Sequence, residues 1–541
     1  MRRVIRFFVA LFLVCTFPVT HVWAEDTPAQ VVSTTESAAQ PEAQLEILRF
    51  AISGYTVEGA TLLSKAEIDA AVAPYVGQSK DFSDVQRALE AVEELYAKHG
   101  YSAVHLLLPE QELEKGAVLF QAVEGRFGKI VVKDNQFVSE ANALNALPSV
   151  RSGGVPKSRQ IARELKLANE NPARQLNVVL KAGEKADEVD ASVLVSDSKP
   201  STWGVTYDNS GTKETGNTRL GLFYRHANLF DADHVGSLQF QTSPEHPSRV
   251  MVIGGSYKIP RYQSGDSWEL FGGYSNVNSL VGGLTNFQGG GLMFSARDNW
   301  MLERVAGFDP RLSFGLDWRT FNALKQTQPT TTVLYNEIVA TPLSVAISAT
   351  EKTPHSDTGF NLSYAMNVPL MSKGKKADFT AYDPLGFLKP DTNYRILRYG
   401  ASYARLVGAD WQLRAAMNGQ WSNNVLILGE QMRLGGADGV RGFAEGSEGG
   451  ETGTRVNLEA YTPSKAVWSY EGRVLVFYDA GRVSSSNGTS SSIASAGFGL
   501  RATSTSQFAL RTDMGWILKE GVDPLYRKGD WRIHASMSLS F

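Results

Sequence analysis

One cysteine, Cys15, occurs in 541 residues. It sits in a leader that the sequence predicts to be removed. The mature chain is therefore expected to hold no disulfide, no thiol nucleophile and no cysteine zinc site. No later stretch runs through 18 consecutive apolar residues, which excludes membrane-spanning helices. Positive charge is not in excess either: 53 Lys and Arg stand against 56 Asp and Glu. With no polybasic block, nucleic acid is not an expected partner. The motifs H-E-x-x-H, Walker A and G-x-S-x-G and the dinucleotide fingerprint are all missing. The eight histidines are scattered, with none at a metal-ligand spacing. Acid pairs such as Glu93-Glu94 fall on the solvated side of a predicted helix. No catalytic residue, metal or cofactor is expected, and the chain is not read as an enzyme.

The leader itself reads MRRVIRFFVALFLVCTFPVTHVWA. Arg2, Arg3 and Arg6 precede an apolar core from Phe7 to Phe17, and Val22-Trp23-Ala24 supplies a cleavage pattern. This is expected to be a secretory signal peptide over 1–24. Val14, before Cys15, is not small, so a lipoprotein anchor is disfavoured. Residues 25–45 are rich in Ala, Gln, Thr, Ser and Glu and read as a flexible leader or plug region. Pro28, Pro41 and a weak apolar stripe argue against a committed plug helix.

The opposite end carries the strongest pattern. In WRIHASMSLSF (531–541), Trp531, Ile533, Ala535, Met537, Leu539 and Phe541 alternate with polar residues. Eleven residues of period two, aromatic at both ends, fit one crossing of a bilayer by a tilted strand. The pattern recurs from about residue 200. Examples are Trp203/Val205/Tyr207, Leu312/Phe314/Leu316/Trp318, Phe360/Leu362/Tyr364 and Phe508/Leu510/Met514/Trp516. Sixteen strands over 199–541, about 21 residues per strand with its connection, suit a transmembrane antiparallel β-barrel. Eleven precede and five follow a glycine-rich stretch, LGGADGVRGFAEG (434–446). VLILGEQMRL (425–434) is assigned to that loop, because both chain ends on one side require an even count. The mean hydropathy of −0.20 fits a barrel with a polar lumen.

Before the barrel, a soluble α/β pattern occurs twice in the order βααββ. The first copy reads strand 50–59, helices 62–77 and 83–100, and strands 103–109 and 118–124. Ser83 and Gln86 have capping-box spacing in its second helix. The second copy reads strand 126–135, helices 140–149 and 158–171, and strands 175–183 and 188–197. Two small domains, 46–124 and 125–198, are thus expected ahead of the barrel. The signal peptide would place them in the periplasm.

Three stretches carry a family resemblance. LPEQELEKGAVLFQAVEGRFGKIVVKDN (108–135) resembles the junction between two POTRA domains. VRGF (440–443) resembles a loop-tip signature, and FYDAG (477–481) resembles an F-x-D-x-G strand motif. Their order and spacing resemble the TpsB outer-membrane transporters of two-partner secretion, in the Omp85 superfamily, over nearly the whole chain from residue 46. The resemblance implies a loop 425–452 folded into the barrel. The loop-tip motif would be Val440, Arg441, Gly442 and Phe443. Arg441 would pair with Asp479 on the barrel wall, beside Phe477 and Gly481.

Strand parity agrees: Val474, Val476 and Tyr478 would face lipid, leaving Phe477 and Asp479 inward. Gly497, Gly499 and Gly515 would also face inward and form a seat for the tip, since glycine admits another backbone closely. At an effective dielectric near 20, contact between such charges is worth about 4 kcal/mol before desolvation.

The expected function is a protein-translocating pore of the outer membrane. Its POTRA domains would capture a large, unfolded exoprotein of adhesin or haemolysin type, the TpsA-like partner. Other expected partners are outer-membrane lipids and the barrel assembly machinery, the latter through the terminal strand ending in Phe541. An outer-membrane protein insertase and a passive solute channel are the rival readings. Two POTRA domains argue against the first, since insertases carry more. Recognition domains have no evident purpose in the second. Inward arginines and aspartates are read as hydrated channel lining.

Overall fold

A computed structural model describes residues 48–112, 116–213, 215–277, 290–326, 332–504 and 507–541. The signal peptide read at 1–24 and the leader read at 25–45 lie outside them.

Period-two alternation becomes sixteen long strands. The first eight are β1 (Ser201–Asp208), β2 (Arg219–Leu229), β3 (His234–Thr242), β4 (Met251–Arg261), β5 (Asp266–Ser275), β6 (Gly291–Met301), β7 (Asp309–Phe321) and β8 (Pro342–Lys352, extended by Ile338–Ala340). The rest are β9 (Ser356–Asn367), β10 (Arg395–Val407), β11 (Trp411–Trp421), β12 (Thr452–Tyr461), β13 (Tyr470–Ser484), β14 (Ser490–Ser504), β15 (Phe508–Lys519) and β16 (Trp531–Ser540). Each pairs antiparallel with its neighbours. The sheet closes where β16 meets β1, from Ser536↔Asp208 to Ser540↔Gly204. Closure matters because a spanning sheet must leave no backbone group unpaired in hydrocarbon.

The two faces separate as the parity requires. Trp531, Ile533, Met537 and Leu539 are exposed on the outer face, and so are Val474, Val476 and Tyr478. His534, Phe477 and Asp479 are buried inside. Between β11 and β12, VLILGEQMRL forms a 3-10 turn at Leu428–Glu430 and a short strand, Met432–Leu434. That strand pairs back onto Glu448–Gly450, so the connection is a two-stranded finger.

Ahead of the barrel stand two three-stranded sheets. In the first, Ala117–Glu124 is central, parallel to Gly54–Glu58 and antiparallel to Val104–Leu107. Helices α1 (Lys65–Val72) and α2 (Phe82–Lys98) cover it, burying Val85, Val92 and Tyr96 against Val118 and Phe120. The cap of α2 is Asp81 with Asp84, not Ser83 with Gln86, because the carboxylate of Asp81 reaches the Asp84 N–H at 3.1 Å. Residues 50–59 are likewise two strands. Phe50–Ile52 leaves the main sheet to pair with Gly77–Lys80.

In the second sheet Glu188–Asp197 is central, between Arg126–Lys133 and Arg174–Ala182. Helix α3 (Glu140–Asn145) packs on it through Ala143, and α4 (Ser158–Ala168) through Ile161 and Ala168. This second unit touches the barrel through buried polar groups. Arg174 Nη2 lies 2.7 Å from Asp233 Oδ2 in the β2–β3 turn, and neither side chain is accessible. Tyr262, in the β4–β5 turn, donates to the same Asp233 oxygen at 2.6 Å.

Candidate functional site

The finger between β11 and β12 enters the lumen and ends in an apolar and ionic seat. Glycines allow the bend: Gly435, Gly436, Gly442 and Gly446 all have positive φ, the region side chains resist. At Gly442, with φ +94°, the chain reverses inside the barrel. Val440 and Phe443 flank the reversal and are buried with Leu434, Val483, Ile493 and Ile517. The Phe443 ring also lies 5.7 Å from that of Tyr526.

Arg441, 1% exposed, points into the wall. Its Nε donates to Asp479 Oδ2 at 2.7 Å and its Nη2 to Asp479 Oδ1 at 2.8 Å. The Arg441 backbone N–H adds a third bond to Oδ2 at 3.1 Å. Asn457 completes the carboxylate at 2.8 Å and also donates to Gly439 O at 2.7 Å. The remaining guanidinium nitrogen faces Glu459 at 2.8 Å and Asp513 at 3.4 Å. The guanidinium carbon stands 3.5 Å from the centre of the Phe477 ring, a stacked cation–π contact. Asp513 is balanced in turn by Arg501 and Arg511, both at 2.9 Å. A planar, forked, permanently charged side chain is what such a seat requires; lysine cannot make two parallel bonds to one carboxylate.

Gly442 donates its N–H to His534 Nε2 at 3.1 Å. That nitrogen is therefore the unprotonated one, and the neutral imidazole carries its hydrogen on Nδ1.

The three inward glycines do different things. A Cβ at Gly515 would stand 2.8 Å from Gly442 N and 2.9 Å from Arg441 C, so this position seats the tip directly. A Cβ at Gly497 would meet the Met514 carbonyl and the Phe477 ring, so it makes room for the ring beneath Arg441. At Gly499 the neighbours would be Asp513 and Arg501, the outer part of the charge cluster. The seat read from all three is thus direct at one and indirect at two. Gly481 faces Leu434, which packs at 2.8 Å from where its Cβ would be.

Sequence reading missed Asn457, Glu459, Asp513 and His534. Each occupies an inward strand position, but parity marks many such positions without saying which meet the loop. It also missed Glu430, on the outer limb of the loop, whose carboxylate accepts from Arg319 and Arg398, each at 2.9 Å.

The tip lies against β12–β16. Beside β1–β5 the lumen holds a cavity of about 630 Å³. Its lining mixes small residues such as Gly221, Ser237 and Gly254 with the rings of Phe223 and Phe271, and is mostly uncharged apart from Glu170, Arg225, Lys258 and Glu269. Among the described residues no group of His, Cys, Asp and Glu could hold a metal ion.

Comparison with known proteins gives a consistent picture. Residues 189–502 match the family model described as haemolysin secretion/activation protein ShlB/FhaC/HecB. Residues 50–125 match the POTRA domain of ShlB type. The chain is 23% identical over 479 residues to the heme/hemopexin transporter protein HuxB of Haemophilus influenzae, covering 84% of this chain and 81% of that protein. It is 26% identical over 410 residues to the outer membrane transporter CdiB of Dickeya dadantii, covering 73% and 69%. The solved structure of CdiB from Escherichia coli shares the fold, with a TM-score of 0.74 at 21% identity and 93% of each chain covered.

Proposed function

Since the chain belongs to the ShlB/FhaC/HecB family of haemolysin secretion/activation proteins, and so is an outer-membrane protein-secretion pore with POTRA domains in the periplasm, we propose that it exports one large exoprotein of adhesin or haemolysin type. The cargo arrives unfolded. Residues 46–124 and 125–198 act as its two capture domains, and 199–541 form the pore. An extended cargo segment would add to an open sheet edge, such as Val104–Leu107 or Arg174–Ala182, gaining main-chain hydrogen bonds without needing one sequence. It then follows the cavity beside β1–β5. Most of that lining is uncharged, which leaves few ionic groups to hold a passing chain.

The observation that carries this reading is the buried Arg441–Asp479 contact on a loop that fills the other side of the lumen. Breaking one member of a buried pair costs roughly 3–5 kcal/mol, enough to leave the loop tip unseated. The terminal strand ending in Phe541 is proposed as the segment read by the barrel assembly machinery.

Deleting the gene and comparing released and surface proteins tests the cargo. One large protein should vanish and return on complementation; a joint fall of many barrel proteins would instead mark an insertase. Arg441→Ala should cut release at least tenfold while the barrel still inserts and stays heat-modifiable. Normal release by a well-expressed variant would overturn the role given to that contact.

A further inference from the structure

At the outer end of the lumen stands an apolar cluster separate from the loop tip. Phe379 and Tyr382, from the β9–β10 loop, and Tyr394 at its end pack with Leu426 and Ile427 from the outer limb of the β11–β12 loop. All five are buried. They sit on inward side chains from the outer ends of β4–β8, among them Val252, Phe271, Met293 and Phe321. The two loops are also tied to each other. Asp391 donates its N–H to Val425 O at 2.9 Å, and its carboxylate accepts from Val425 N at 3.1 Å and Asn424 Nδ2 at 3.0 Å. The result is one apolar plug made from two loops.

Val252 and Phe271 belong both to this plug and to the lining of the lumen cavity. A chain ascending beside β1–β5 therefore meets the plug.

Three residues beyond Ile427 stands Glu430, its side chain 1% exposed. One carboxylate oxygen accepts from Arg319 on β7, the other from Arg398 on β10. The Glu430 carbonyl accepts from Gln420 on β11 at 2.8 Å. Arg319 is shared with Asp317 at 2.5 Å, and Arg398 with Gln420 at 2.9 Å. The polarity is the reverse of the tip: there a loop arginine enters an acidic wall, and here a loop acid enters a basic one. Removing the Glu430 charge leaves Arg398 without its carboxylate and Arg319 with Asp317 alone. The plug then keeps its apolar packing and peripheral bonds, such as Val339 N–H to Lys373 O at 3.1 Å, but loses its buried ionic tie to the wall.

We propose that Glu430 is a positioning residue for translocation, clamping the two-loop plug as an outward gate distinct from the Arg441 contact. The inference rests on the reading of this chain as a protein-secretion pore.

Glu430→Gln keeps shape and removes charge. Purified full-length protein in planar bilayers should show open probability raised about tenfold, equivalent to about 1.4 kcal/mol. Glu430→Asp, which keeps the charge, should stay closer to the parent value than Glu430→Gln. A second test does not depend on that variant's folding. Lys373 of the β9–β10 loop lies 3.3 Å from Glu337, one residue ahead of the β8 extension. Cysteines at these two positions, in a mature chain expected to have none, can be joined by a short reducible cross-linker. The joined protein should lose the openings and stop exoprotein release, and reductant should restore both. Unchanged open probability in a heat-modifiable Glu430→Gln protein, or normal release from the fully cross-linked one, overturns the gate. If Glu430→Gln opens the channel but the deletion strain loses no exoprotein, the gate stands and the cargo reading falls.

Discussion

Two glycines on neighbouring strands separate assembly from loop seating. The backbone of the loop tip occupies the space a Cβ at Gly515 would need, 2.8 Å from Gly442 N. Backbone cannot swing aside as a flexible side chain does, so Gly515→Ala must lift the tip. A Cβ at Gly497 would instead meet the Met514 carbonyl of the adjoining strand, part of the wall itself. Gly515→Ala is therefore expected to yield an inserted, heat-modifiable barrel whose loop is cut by external protease and whose secretion falls at least as far as with Arg441→Ala. Gly497→Ala should lower the amount of folded barrel. Equal protease resistance of Gly515→Ala and the parent would show that the tip tolerates the extra carbon.

At the scale of elements, the first periplasmic sheet hangs on one carboxylate. Glu124, at the end of the central strand, accepts from Thr61 N at 2.8 Å, Leu62 N at 2.9 Å and Tyr96 Oη at 2.9 Å, with Thr61 Oγ1 also bound. It thus ties the approach to α1 and the last turns of α2 to the sheet. Partial burial pushes its pKa up, but the hydrogen bonds from Thr61, Leu62 and Tyr96 outweigh that and hold it below the ordinary carboxylate value. A pKa lower in the folded than in the unfolded chain adds stability above the unfolded value, and that stability is lost as pH falls through the folded one. Glu124→Gln should destabilise this region by about 1–3 kcal/mol at neutral pH and flatten its acid sensitivity. Amide exchange of α1 and α2 in the full chain, at neutral and acidic pH, measures both. An unchanged acid response would remove Glu124 from the account.

Elements of this kind were legible to different depths. Barrel strands announce themselves because lipid and lumen impose opposite polarity on successive residues, as Val476 and Phe477 show with 59% and 5% exposure. Helix starts are less legible: Asp81 and Ser83 are both able to cap, and only the local backbone decides which carboxylate or hydroxyl reaches the third N–H. Arg441 and Asp479 could be paired through resemblance, because both lie in recognisable short motifs. Glu430, Arg319 and Arg398 lie in none. What joins them is the way two loops fold into the lumen, which has no period in the sequence.

On the scale of the whole described chain, the second periplasmic unit is docked to the barrel by polar groups, several of them buried. Arg174 and Asp233 are buried together. Asn142 donates to Asp231 O at 2.9 Å, and Asn171 donates to Ala227 O at 2.8 Å. The receiving turn is held in an uncommon form, with positive φ at Phe230, Asp231 and Asp233. Next to it, Glu170 reaches the lumen wall, binding Lys258 at 2.5 Å and also Arg311. Under the proposed function, a fixed dock of this kind would set where a captured chain is delivered: Glu170 lines the same cavity that runs beside β1–β5.

Asp233→Asn retains the shape but leaves Arg174 buried without its counter-charge, a loss of roughly 3–5 kcal/mol. The unit should then detach from the turn without unfolding. Spin labels on α4 and on the periplasmic end of β7 should show a broadened distance distribution. Exoprotein release should fall while binding of the exoprotein to the periplasmic region is retained. Substituting Arg174 by Met as well removes the stranded charge and should narrow the distribution again, because two neutral side chains share the buried site without an unpaired ion. If Asp233→Asn leaves the distances unchanged, Tyr262 and the asparagines hold the dock by themselves, and the ion pair is not what aims the periplasmic unit at the pore.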